Sequence, residues 1–123
     1  TMLLWLASAL AFATFCVHTF VGGREVARPL LGCDALAPGP RWLSYYCWHI
    51  ATVVIFFIAI GYAYSARAAE DSIALVTFLS ALAAALSALS VAVAWRAGIN
   101  PLRFPSTSLF AATAATGFVA LFI

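Results

Sequence analysis

The sequence predicts an all-α integral membrane protein: a bundle of four transmembrane helices forming a single domain. Three observations carry that expectation. Of its 123 residues, 66% are hydrophobic and only 8% charged, whereas a soluble domain has about 25% charged residues. Mean hydropathy is +1.08, too apolar for a chain that must cover itself with a water-facing surface. The apolar residues also fall into four runs divided by short polar or proline-rich segments, each close to the roughly 20 residues that a helix needs to cross a bilayer. Four such spans leave no length for a soluble domain.

The first span is expected over residues 2–21, an unbroken apolar stretch closed by Gly22 and Gly23. No basic residue precedes it and no small-x-small cleavage site follows, so it reads as a retained helix rather than a signal peptide. Residues 22–43 are the longest polar segment and are expected as a cytoplasmic loop. They hold Arg24, Glu25, Arg28, Asp34 and Arg41 together with Pro29, Pro38 and Pro40. The stretch REVARPLLGCDAL is expected to form no more than a short interfacial helix, interrupted at Pro29, because proline and glycine break longer regularity.

The second span is expected over 44–66. It opens on the ring-rich stretch WLSYYCWH at 42–49, and Trp42, Tyr45, Tyr46 and Trp48 suit the level of the lipid headgroups. Arg67, Glu70 and Asp71 then mark a tight polar turn. The third span is expected over 73–95. A fourth, over 106–123, starts behind Pro105, since proline is tolerated in the first turn of a helix but cannot continue one.

Charge predicts orientation. With four alternating spans, Arg24, Arg28, Arg41, Arg96 and Arg103 share one side and Arg67 stands alone on the other. By the positive-inside rule the five-arginine side faces the cytoplasm, so both termini are expected in the periplasm of a bacterial inner membrane. The lipid bilayer is the first partner, and no nucleic-acid partner is expected. Small residues supply the seams on which helices approach in lipid: Thr77, Ser80, Ala84, Ser87 and Val91 in the third span, Ala59, Gly61, Ala63 and Ser65 in the second, and Ser108, Ala112, Thr113 and Gly117 in the fourth.

The chemistry concentrates in the two histidines. Ionisable residues within membrane spans are costly and tend to be paired or functional. A hairpin of the first two spans brings His18 and His49 to similar depth, His18 about one turn from its helix end. Helical spacing puts Thr14 and Gly22 on the face of His18, and Tyr45, Tyr46, Thr52 and Val53 beside His49. The candidate ligand-binding set is therefore His18, Arg24, Glu25, Arg28, Tyr45, Trp48 and His49.

His18 and His49 are also the candidate metal ligands, as an axial pair for haem iron or as part of a transition-metal site. Cys33, Asp34, Glu25 and Cys47 are the other residues able to complete a tetrahedral set. Cys47 and His49 lie two residues apart, which puts them on different faces of one helix. Cys16, Cys33 and Cys47 are odd in number and lack CxxC spacing, so they read as small buried hydrophobes. Arg24 and Arg28, with helix N-termini on the same side, suit an anionic lipid headgroup.

The functional expectation is binding rather than catalysis. The chain reads as an accessory or assembly subunit of a larger membrane complex, or a homo-oligomer. It is expected to hold a partner subunit or a small ligand through the His/Arg/aromatic cluster near the cytoplasmic face. A metal-, haem- or quinone-binding bundle is the alternative. No nucleophile, paired carboxylates or phosphate loop is recognisable, and the span centres lack charge, so enzyme and transporter are the weakest readings.

Overall fold

A computed structural model describes residues 1–123, Ala69 by its backbone alone. Four helices run alternately up and down: α1 (Met2–Leu31), α2 (Pro38–Arg67), α3 (Ile73–Arg96) and α4 (Pro105–Ala120). There are no strands among the described residues. The first three helices are long and apolar enough to cross a membrane. At 16 residues, α4 is about 24 Å long and falls short of a hydrocarbon core of about 30 Å, so three of the four expected spans have a helix able to cross and the fourth does not.

The first loop is the main departure from expectation. Gly22 and Gly23 do not end α1, which runs ten residues farther as a wide π-helical segment, Val17–Ala27, and a closing α-turn, Arg28–Leu31. Glycine ends a helix by taking positive φ, yet the one positive φ among the described residues is at Gly98. Gly22 stays helical because another helix closes on it: a Cβ there would lie 2.8 Å from Cζ2 of Trp48. Pro29 falls where the π register returns to α, at the start of the last turn, so its missing N–H breaks no regular ladder.

Pro38 and Pro40 likewise belong to the first turn of α2 rather than to a loop. The connection shrinks to Gly32–Ala37, closed by Cys33 N–H donating to Leu30 O at 3.2 Å. Both histidines thus lie some three turns from their helix ends rather than one or two. At the other end of α3, Gly98 (φ +69°) closes the helix. Its N–H donates to Trp95 O, and that of Ile99 to Ala94 O at 2.8 Å, the paired bonds of a Schellman cap. Asn100 Oδ1 then accepts from Leu102 N–H at 3.0 Å and fixes one 3₁₀ turn before α4.

Packing runs α2–α1–α4–α3, with only a slight contact between α2 and α3. The α2–α3 contact is near the turn that joins them, where Tyr62 Oη and Ser80 Oγ are 2.8 Å apart and Gly61 faces Leu79. The core draws on all four helices, around Ala7, Ala11, Ile58, Tyr62, Leu79, Ala83, Phe110 and Ala114. Small residues let backbones approach, and hydroxyls tie them: Ser8 Oγ donates to Ala59 O at 2.9 Å, and Ser87 Oγ to Thr107 O at 2.8 Å.

The inward stripe of α3 is Val76, Ser80, Ala83, Ser90 and Ala94. It shares Ser80 with the expected small-residue face, but Thr77 and Ala84 point outward. The seam follows snug packing rather than hydroxyl content. The outer faces carry exposed Phe12, Phe56, Phe57, Phe78 and Leu89, the surface expected of helices solvated by lipid.

Candidate functional site

Away from their joining turn, α2 and α3 diverge, and the cleft between them is floored by α1 and by the start of α4. The smaller of two adjoining cavities, about 440 Å³, lies in this cleft; the larger, about 540 Å³, lies beside it between α1 and the start of α4, with Trp48 and Ile55 of α2 at its edge. His18, Ile55, Phe104, Ser106 and Phe110 border both. The smaller one opens between Ile50 and Val54 of α2 and Leu86, Leu89 and Val93 of α3. The larger one is walled by Val17, Val21 and Leu109, with Glu25 and Arg103 as its charged residues. α4 therefore begins at the level of His18.

His18 is held by α2 on two sides. Its ring stacks on the indole of Trp48 at 4.1 Å between centroids and 14° between planes. Its Nε2 lies 3.2 Å from Trp48 O and 3.0 Å from Thr52 Oγ1. A carbonyl can only accept, so Nε2 carries hydrogen and the neutral ring keeps Nδ1 as its free acceptor. Gly22, one turn along α1, leaves room for the far edge of the same indole. The local sequence explains the fit: His18 and Gly22 are spaced i, i+4 on α1, and Trp48 and Thr52 are spaced i, i+4 on α2.

His49 joins through the same hydroxyl. Its Nδ1 is 3.1 Å from Thr52 Oγ1, and Tyr45 meets its ring edge-on at 4.5 Å. Thr52 Oγ1 also donates to Trp48 O at 3.3 Å. The two imidazoles thus converge on one threonine oxygen rather than on a shared open point. An iron or transition-metal ion using both nitrogens must displace that hydroxyl. Among the described residues no three His, Cys, Asp or Glu side chains group as a metal set.

Of the residues expected at the site, the structure brings together His18, Tyr45, Trp48 and His49, with Glu25 on the wall of the larger cavity. Arg24 and Arg28 are exposed on the π-helical extension and its last turn, and they border neither cavity. Tyr46 and Val53 also face outward. Arg41 pairs instead with the fully exposed Asp34 at 3.6 Å.

Sequence reasoning named Thr52 as a neighbour of His49 but not as the bridge, and it missed Arg103, Phe104 and Phe110. Thr52 was detectable from its i, i+3 spacing to His49; Arg103 belongs to a connection whose path no local pattern fixes. Cys16, Cys33 and Cys47 are all free thiols, and none is buried as expected: Cys16 and Cys33 are partly exposed and Cys47 is exposed. No family model, curated protein or solved structure matches the chain.

Proposed function

We propose that this chain is a membrane-embedded binding bundle that holds a small amphiphilic molecule across the two adjoining cavities, from the pocket between α1 and the start of α4 into the cleft between α2 and α3. The ligand's apolar body lies along Ile55, Leu86, Leu89 and Phe110, and its polar head lies at His18 and Arg103. The observation that carries this reading is the larger cavity. Its volume of about 540 Å³ falls within the range of roughly 300–1,000 Å³ of small-molecule sites, and it has their character, mostly apolar with a few converging polar groups. The Thr52 hydroxyl between the imidazoles favours an organic ligand over haem or a metal ion.

We read the orientation as arginine end to the cytoplasm, supported by five of the six arginines lying at that end. The role is that of an accessory bundle supplying the ligand to a larger membrane assembly. What supports it is the broad exposed apolar surface around Phe56, Phe57 and Phe78. The test is organic extraction and mass spectrometry of protein purified in mild detergent. A near-stoichiometric amphiphile is expected in the wild type and a loss of at least fivefold in Val17→Phe, which places a ring in the larger cavity. Extracts that match the bulk lipid in both proteins overturn the reading.

A further inference from the structure

We infer that the ligand of the cleft is a weak acid, a phenol or quinol ring on an apolar tail, and that His18, Thr52 and His49 relay its proton out of the cleft. This rests on the binding reading above and adds what the three side chains do to the bound head. His18 borders both cavities, whereas His49 borders neither and is only half-buried. Between them stands one hydroxyl, 3.0 Å from His18 Nε2 and 3.1 Å from His49 Nδ1.

Each member of the chain has one proton to give and one lone pair to fill. Trp48 O obliges His18 Nε2 to carry hydrogen, which leaves Nδ1 as the acceptor for the ligand. Thr52 accepts from Nε2, and its one proton has two acceptors, Trp48 O at 3.3 Å and His49 Nδ1 at the shorter 3.1 Å; the relay uses the rotamer that points it at His49, whose neutral ring then carries its hydrogen on Nε2. In the relay the ligand O–H bond breaks and an N–H bond forms at His18 Nδ1. The Nε2 proton moves to Thr52 Oγ1, the original Thr52 proton moves to His49 Nδ1, and His49 Nε2 releases its proton to water. The ligand is left as an oxyanion and all three side chains end neutral, with His18 Nε2 now accepting from Thr52 Oγ1 and no longer donating to Trp48 O; the starting tautomers return when the protons run back in reverse order, and no electrons change owner.

The surroundings suit that step. Arg103 and Glu25, both exposed, border the larger cavity; the relay needs the Arg103 end of that wall, where the guanidinium offsets the oxyanion's charge. Tyr45, edge-on to His49, is the remaining titratable neighbour. The Trp48 stack holds the His18 ring in the plane that keeps Nε2 on Thr52. An apolar ligand with no exchangeable proton needs none of this wiring.

The test uses the full chain in detergent with ¹⁵N-labelled histidine and two probes, dodecylphenol and its methyl ether, which fill the cleft alike but differ in the exchangeable proton. Both probes are expected to bind the wild type with affinities within about threefold of each other, judged against the Val17→Phe variant. Only the phenol should move the ring-nitrogen resonances of His49 as well as His18. In Thr52→Val the phenol should move His18 alone, and Thr52→Ser should restore the His49 response. A bound phenol that leaves His49 unmoved, or an ether that moves it equally, overturns the relay and leaves the binding reading standing. Failure of both probes to bind overturns both. Should Thr52→Val not fold, the contrast between phenol and ether in the wild type still decides.

Discussion

The two ends of the α2–α3 pair solve the same problem differently. At the joining turn, glycines and hydroxyls bring the helices into contact: Tyr62 and Ser80 are fully buried and bonded to each other, and Gly117 of α4 sits against both. At the arginine end the same helices part, and polar groups of α1 and α2 bond to one another beside open volume. Both ends bury hydroxyls, but only one leaves space next to them. Hydrogen bonding beside a filled seam stabilises; the same bonding beside a cavity orients groups toward whatever enters. The difference separates a filled end, where packing holds the helices, from an open end, where polar groups border unfilled volume.

Breaking the closed end should have the largest effect on stability. A Cβ at Gly117 would collide with Ser80 Oγ and Tyr62 Oη, so Gly117→Ala should cost about 1–3 kcal/mol through overpacking. The identical change at Gly23, where an added Cβ meets nothing within 4 Å, should leave stability unchanged or raise it by up to about 1 kcal/mol. Thermal unfolding in one detergent compares the two directly. Equal midpoints would mean that the close approach at Gly117 is not what holds the bundle.

A smaller effect should come from the single hydrogen bond across that seam. Tyr62→Phe and Ser80→Ala each remove one partner of a 2.8 Å pair. In a double-mutant cycle the pair should couple by about 0.6 kcal/mol, the average for interhelical bonds in lipid. A coupling near zero would shift credit from the hydrogen bond to the shape of the seam.

The sequence revealed four apolar helices because that information is local and repeated: composition, run length and polar breaks all point one way. It concealed the extent of α1 and α2, because Gly22, Pro29 and Pro38 are breakers whose effect depends on what packs against them. Gly22 reads as a stop until Trp48 is placed over it, and Pro38 reads as loop until it is seen to open a helix. The site shows the same division. His18 and His49 announced themselves by being ionisable in apolar runs, and helical spacing gave their faces. The bridging role of Thr52 depends on how closely α1 and α2 approach, and the place of Arg103 depends on where a capped connection delivers α4. Arg24 and Arg28, prominent in sequence, turn outward because they lie on a different face of the extended α1 from Gly22, Glu25 and Val26, which border the larger cavity.

The smallest stability effect should accompany one of the larger changes at the open end. Gly22→Ala gains helix propensity, up to about 1 kcal/mol, and loses a comparable amount as the new Cβ presses on the edge of the Trp48 ring, so the two terms should nearly cancel. The indole borders the cavity and can swing aside at little cost, unlike the seam around Gly117, where Ser80, Tyr62 and α4 are locked together. The movement should pull Trp48 off the His18 ring and loosen Nε2 from Thr52. Unfolding midpoints should therefore match those of the wild type within about 0.5 kcal/mol, while the ring-nitrogen resonances of His18 shift even without ligand. A variant that lost stability as Gly117→Ala does would show that the open end is packed as tightly as the closed one, and the division of labour between them would fall.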